Sequence, residues 1–230
     1  MTVLLAMDTS TTAVTAALVQ DDSVLALTTE LDGRRHTEIL MPLVARTFAE
    51  AGIARDAVDG IAVGVGPGPF TGLRVGIATA ETLGLVLGVP TYGVCSLDAI
   101  ALSVQSLDDA PQEFLVATDA RRKEVYWAQY RDGDRPAGPD VERPADLPQE
   151  LRALPTAGRG PALYPESFPT ALPVLDVCAA DLGRLAARRL AAAEELLPLQ
   201  PLYLRQPDAV PSAGQKSALT SLAGQRRRKP

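Results

Sequence analysis

Histidine is nearly absent from this chain: His36 is the one copy in 230 residues. A His-x-x-x-His pair is therefore impossible, and so is any multi-histidine zinc site. Cysteine is almost as scarce. Cys95 and Cys178 stand far apart with no Cys-x-x-Cys, which reads as two reduced, buried thiols. The N-terminus reaches Asp8 after a short apolar run with no basic flank, unlike a signal peptide, so the expected location is the cytoplasm. An excess of basic charge is missing too. Lys and Arg number 22 against 28 Asp and Glu, for a net charge of −6. That excludes a protein that grips nucleic acid unaided through a broad basic face. The charge is uneven, because Lys216, Arg226, Arg227, Arg228 and Lys229 face Asp208 alone in the last stretch.

What is present is ordinary globular composition, 47% hydrophobic and 22% charged. A chain of this length buries about 70% of the surface its unfolded form exposes, so it needs no disulfide or metal to fold. Val3 to Met7 reads as a buried strand ending at Asp8, followed by a polar turn and a second strand from Ala13 to Val19. Asp21-Asp22-Ser23 turns into a third strand, Val24 to Leu31. Ile39, Leu40, Leu43, Val44, Thr47, Phe48 and Ala51 then recur at helical spacing, with Gly52 as the stop and Pro42 in the first turns. Ile61 to Val65 is a strand, the glycine- and proline-rich stretch 66–72 a tight loop, and 72–87 a long apolar helix ended by Gly88. Tyr92 to Val94 returns to the sheet, and Ser96 is expected to cap a further helix. The pattern is that of an α/β layer architecture.

In the second half, Phe114 to Asp119 and Glu124 to Arg131 read as strands around a turn. Residues 132–173 are expected to hold only short pieces of structure, Asp181 to Leu197 a last helix, and Leu202-Tyr203-Leu204 a short strand. A disordered basic tail is expected over 207–230. An internal repeat joins the halves: Leu4-Leu5-Ala6-Met7-Asp8-Thr9-Ser10 lies without a gap on Leu115-Val116-Ala117-Thr118-Asp119-Ala120-Arg121. Two readings follow, coincidence between hairpins or a duplication whose two aspartates face a shared cleft.

Familiar catalytic motifs fail one by one. Walker A needs Gly-Lys-Ser/Thr where Gly72 is followed by Leu73 and Arg74, and Gly-x-Gly-x-x-Gly fails at Pro69. Pro67 and Pro69 also remove amides that a phosphate would want. Asp8, Thr9 and Ser10 are weak candidates for touching a metal–phosphate unit, because side chains stand where a glycine would let amides meet the phosphate. The competing reading is an aspartate that caps its own turn. His36 reads as a solvent-side residue at a helix start, and no Gly-x-Ser-x-Gly elbow marks a nucleophile. No catalytic or metal site is expected.

Several segments together carry a family resemblance. They are Leu5-Ala6-Met7-Asp8-Thr9-Ser10-Thr11, Arg35-His36-Thr37-Glu38, Gly64-Val65-Gly66-Pro67-Gly68-Pro69-Phe70-Thr71-Gly72-Leu73-Arg74, Gly93-Val94-Cys95-Ser96-Leu97-Asp98-Ala99 and Asp119-Ala120-Arg121-Arg122-Lys123-Glu124-Val125-Tyr126. They closely resemble the bacterial TsaB (YeaZ) family over residues 1 to about 130 and again at 201–205. Val65 and Pro69 depart from it, standing where the family more often has Arg and Ser. The resemblance implies an actin-like (ASKHA) fold of two related lobes, here 1–105 and 106–206, without an intact phosphate or metal site. It implies a non-catalytic subunit that binds and supports TsaD, the threonylcarbamoyltransferase acting on adenosine 37 of tRNA. TsaE, an ATPase, joins that pair, and tRNA is met through the complex. A homodimer in the absence of TsaD, and a nucleotide at the complex interface, are left open. The alternative from the residues is an independent small ASKHA-type kinase or ATPase.

One expectation concerns the partner contact. Gly72, Gly76, Ala80 and Gly84 recur at four-residue intervals and so share one nearly bare helix face. Glycines inside a helix cost about 1 kcal/mol each, which close backbone approach would offset. The sequence therefore predicts that this face, beside Leu40, Val44 and Phe48, forms the interface with TsaD. The rival is a groove filled from within the chain. A membrane span is disfavoured by Arg74 and Glu81.

Overall fold

In the computed structural model, which describes residues 1–33 and 35–205, the first half of the chain builds one sheet. β1 (Val3–Asp8), β2 (Ala13–Gln20) and β3 (Ser23–Leu31) form an antiparallel meander. After α1 (His36–Ala51), β4 (Gly60–Gly66) pairs parallel to β1, and after α2 (Phe70–Leu87), β5 (Thr91–Cys95) pairs parallel to β4. The resulting order is β3-β2-β1-β4-β5. β1, β2 and β4 are buried almost end to end, as apolar runs covered on both faces should be. β3 at the edge is mostly exposed.

The second half repeats the plan. After α3 (Ser96–Gln105), β6 (Glu113–Asp119), β7 (Val125–Arg131) and β8 (Asp134–Glu142) form another meander. A short α4 (Gln149–Arg152) leads to β9 (Thr156–Ala157), which pairs parallel to β6. The order β8-β7-β6-β9 is that of the first sheet without its fifth strand. Asp8 faces Thr15 across its hairpin and Asp119 faces Val125. Each aspartate accepts, through Oδ1, the amide two residues on: Ser10 N at 2.7 Å and Arg121 N at 2.8 Å. The same turn closed by the same bond makes duplication the better account of the repeat.

After α5 (Gly160–Leu163), α6 (Ala179–Ala191) returns to the first sheet. A Cβ on Gly183 would lie 2.8 Å from Val19 and 3.0 Å from Ala6, so α6 rides directly on β1 and β2. Its Leu182 and Ala186 join a core that runs from Ala6, Val94 and Ile100 across to Val116 and Ala128. On the other face, α1 and α2 cover Leu5, Met7, Ile61 and Val63.

Several expectations change. α1 starts at His36, so exposed Pro42 sits in its second turn and forfeits a bond to the Glu38 carbonyl. Gly52 and Gly88 do end their helices, at φ 67° and 68°. β8 is nine residues long, where only fragments were expected. It pairs with β7 alone, and an edge strand tolerates Pro136 and Pro139. α6 stops at Ala191, short of Leu197. Leu202 to Leu204 is not a strand, although Leu202 N donates to Val65 O at 2.8 Å. Cys178 is half-buried, unlike Cys95. The tail expected from 207 lies outside the described residues.

Candidate functional site

β1 carries Asp8 into the turn before β2, and both Asp8 and Thr9 are wholly buried. Ser10 donates to Asp8 Oδ1 through N and through Oγ, each at 2.7 Å. Ser96 Oγ donates to Oδ2 at 2.7 Å and accepts Gly66 N at 3.2 Å. Ser96 was expected to cap α3; its hydroxyl is spent on the aspartate instead. Burial pushes the Asp8 carboxyl above its usual range, and the bonds from Ser10 and Ser96 oppose that shift.

The glycine-rich loop closes over this turn. A Cβ on Gly64 would stand 1.7 Å from Asp8 Oδ2, and one on Gly68 would stand 2.7 Å from Ser10 O. On α2, a Cβ on Gly72 would stand 2.3 Å from Thr9 O, and one on Gly76 would stand 2.5 Å from Thr9 Oγ1. Thr9 Oγ1 itself donates to Gly72 O at 2.7 Å. These glycines serve the chain's own turn. Asp8 and Thr9 are closed off by the chain's own glycine-rich segment, while Ser10 reaches the cleft beside the turn.

The same geometry corrects the expected interface. Gly72, Gly76, Ala80 and Gly84 are all buried, and a Cβ on Gly84 would meet Thr91 Cγ2 at 2.4 Å. Leu40, Val44 and Phe48 are buried in the core beneath α1. Four-residue spacing correctly indicated close approach, but the approaching groups, Thr9 and Thr91, belong to this chain. What α2 leaves outside is its opposite face, with Leu85 84% and Val86 74% exposed, and α1 adds exposed Met41. α2 is long and apolar enough to cross a membrane by composition alone, yet its glycine face is packed on the sheet.

His36 is also displaced from expectation. It is buried at the start of α1, with Nε2 3.4 Å from Thr11 O, in the wall of a cleft between the two sheets' ends. Ser10, Asp119, Arg121, Arg159 and Asp176 share that cleft, whereas Asp8 does not reach it. Its charges pair internally, Arg121 with Asp119 at 3.1 Å and Arg159 with Asp176 at 2.5 Å. The volume of about 70 Å³ holds a few waters and falls well below an ordinary small-molecule site. Among the described residues, no group of three or more His, Cys, Asp or Glu could hold a metal ion.

A larger groove of about 600 Å³ was not visible in the sequence. Phe70 and Tyr203 stack across it with ring centroids 5.4 Å apart and planes at 19°. The Arg74 guanidinium carbon lies 3.9 Å from the centre of the Phe70 ring, and its Nε donates to Tyr203 Oη at 3.0 Å. Tyr126 and Arg205 complete the walls, with Arg205 paired to Glu124.

Residues 28–180 match the family model described as TsaD: tRNA N6-adenosine threonylcarbamoyltransferase. An uncharacterized protein of Mycobacterium tuberculosis is 44% identical over 213 residues, which span 91% of this chain and 95% of that protein. The tRNA threonylcarbamoyladenosine biosynthesis protein TsaB of Escherichia coli is 36% identical over 148 residues, 64% of this chain and 63% of that protein. Among solved structures, YeaZ from Pseudomonas aeruginosa superposes with a TM-score of 0.77 at 33% identity, covering 89% of this chain and 100% of that chain. With the repeated sheet, this likeness makes the fold actin-like (ASKHA) with two related lobes.

Proposed function

The chain belongs to the TsaB/YeaZ family, and on that premise we propose that it is a non-catalytic subunit which binds and supports TsaD in making N6-threonylcarbamoyladenosine at tRNA position 37. The observation that carries this reading is the covered acidic turn. In an actin-like enzyme the aspartate after the first strand looks onto the phosphates. Here the Gly64–Gly76 segment covers Asp8 and Thr9, and the cleft beside that turn, of about 70 Å³, is smaller than an ordinary small-molecule site. A match to the TsaD family model in a chain with a single histidine supports kinship to the enzyme without its metal pair.

A rigid helix is what remains useful. Because the inner face of α2 is tied to the Asp8 turn, its outer face is held at a fixed angle. Leu85 and Val86 on that face, together with the exposed Met41 of α1, form the surface offered to TsaD. In isolation the same surface favours a homodimer. TsaE joins the pair, tRNA is engaged by the assembly, and the work is done in the cytoplasm.

The test is co-purification with TsaD of the same organism, followed by tRNA modification assays with each protein alone and with both. Modification should need both proteins. Leu85→Asp with Val86→Asp should abolish association while circular dichroism stays unchanged. The rival reading, an independent kinase or ATPase, predicts micromolar Mg-ATP binding and turnover by the isolated chain. That result would overturn the proposal.

A further inference from the structure

We propose that the groove between the start of α2 and the 201–205 segment is a docking site for an unpaired segment of RNA, with one base added to the Phe70–Tyr203 stack and its phosphates held by the surrounding arginines.

The shape of the groove suits a flat group. Phe70 and Tyr203 are near-parallel rings, yet they remain 55% and 45% exposed, so a further planar group can extend the stack. The Arg74 guanidinium carbon already sits over the Phe70 ring, 3.9 Å from its centre, where cation and ring attract each other. Solvent-exposed aromatic side chains in a layered stack are costly unless something covers them, and a base presents a flat face of matching size. Tyr126 adds a third ring to the wall.

Charge points to the same occupant. Among the described residues, every charged side chain lining the groove is an arginine: Arg74, Arg121, Arg122 and Arg205. Glu124 and Asp119 pair with two of these but do not line the groove. The turn that brings Arg121 and Arg122 to the rim is unusual. Arg121, Arg122 and Lys123 have φ of 62°, 54° and 64°, three successive side chains in the left-handed region. Each costs on the order of 1 kcal/mol there, and a hairpin needs no such run to turn. The arrangement keeps three basic side chains exposed beside one another. Past Arg205 the sequence also carries Lys216, Arg226, Arg227, Arg228 and Lys229, which lie outside the described residues. In a protein of net charge −6, this is a local exception with the sign a polyanion requires. An acidic peptide would satisfy the arginines and leave the ring stack unextended, so RNA is the better match. A groove of about 600 Å³ is also of the size that encloses one nucleotide.

The inference rests on the proposed function only for its choice of RNA over another single-stranded polyanion. The test uses the full chain and a short, unstructured, fluorescein-labelled RNA, followed by anisotropy at two salt concentrations, with the same RNA as a duplex for comparison. Tyr203→Ala should weaken binding of the unpaired strand roughly tenfold, the range of one lost base stack, while Tyr203→Phe retains it. Arg74→Ala should weaken binding and flatten its salt dependence. Truncation after Arg205 should lower affinity yet leave the Tyr203→Ala effect in place. Equal binding by Tyr203→Ala and the wild type would overturn the proposal. So would duplex held as tightly as the unpaired strand, or displacement of RNA by an acidic peptide more readily than by unlabelled RNA. Should Tyr203→Ala alter the circular dichroism, Arg205→Gln reads the same groove from its other wall. A failure of the wild type to support modification with TsaD would sink the proposed function and leave these binding results standing.

Discussion

Gly76→Ala offers a direct reading of what the bare face of α2 is for. The new Cβ would stand 2.5 Å from Thr9 Oγ1, 3.5 Å from Val63 Cγ2 and 3.7 Å from Thr9 Cβ. Only the first contact is too short, by about 0.8 Å against the ~3.3 Å at which carbon and oxygen ordinarily meet. Thr9 cannot simply rotate away, because it is fully buried and its hydroxyl is bonded to Gly72 O at 2.7 Å. Overpacking of this kind costs about 1–3 kcal/mol, and alanine returns about 1 kcal/mol of helix propensity, so the single variant should lose about 0–2 kcal/mol. In a Thr9→Ala background the obstructing oxygen is gone and only the propensity gain survives. There, Gly76→Ala should stabilise by about 1 kcal/mol. Urea unfolding of the four proteins closes the cycle, with an expected coupling of about 1–3 kcal/mol. Equal effects of Gly76→Ala in both backgrounds would refute the account and return the glycine face to an external partner.

Three further outcomes follow from the same contacts. The Asp8 carboxyl, raised above 3.8 by burial, binds its proton more readily folded than unfolded. Its contribution to stability therefore grows as pH falls from neutral through the raised value and levels off below 3.8. Urea midpoints across that range should move in favour of wild type over Asp8→Asn as pH falls, and a constant gap would count against this. Burial pushes the Cys95 thiol up to about 11, so a thiol reagent on native protein should react with half-buried Cys178 first and reach Cys95 only on unfolding. Asp98 accepts from Tyr130 Oη at 2.8 Å and pairs with Arg135 at 3.0 Å and Arg189 at 3.1 Å. Asp98→Ala should therefore cost about 3 kcal/mol in chemical denaturation, through the partly buried cations left behind; a loss below 1 kcal/mol would show them well solvated.

Most of the fold was legible because the hydrophobic period changes where the elements change. β1, β2 and β4 are dominated by apolar residues, with Thr15 the one polar residue inside β2, and α1 shows the helical stripe from Ile39 onward. That stripe also misled. It ignored His36, a polar residue buried by its position at the helix start against Thr11 and not by periodicity. β8 was hidden by prolines that only an edge strand can carry. Ser96 has the residue type of a cap, and nothing local reveals that Asp8, 88 positions earlier, takes its hydroxyl. The glycine spacing announced a close approach but could not say whose groups made it. The groove left no trace at all, since Arg74 and Tyr203 meet across 129 positions and no pattern links them.

The return of α6 to the first sheet has a consequence for the order in which the protein is made. Ala179 N, at the start of α6, donates to Thr15 Oγ1, 164 positions earlier. Until α6 leaves the ribosome, the face of β1 and β2 bearing Ala6 and Val19 has no lid. At about 5–20 residues per second that interval lasts roughly 8–30 s. For that time the nascent chain carries a strand pair with an apolar face open to whatever binds such surfaces. The first lobe is thus begun early and completed almost last, and its exposure in the cell is set by the speed of translation as much as by its own stability.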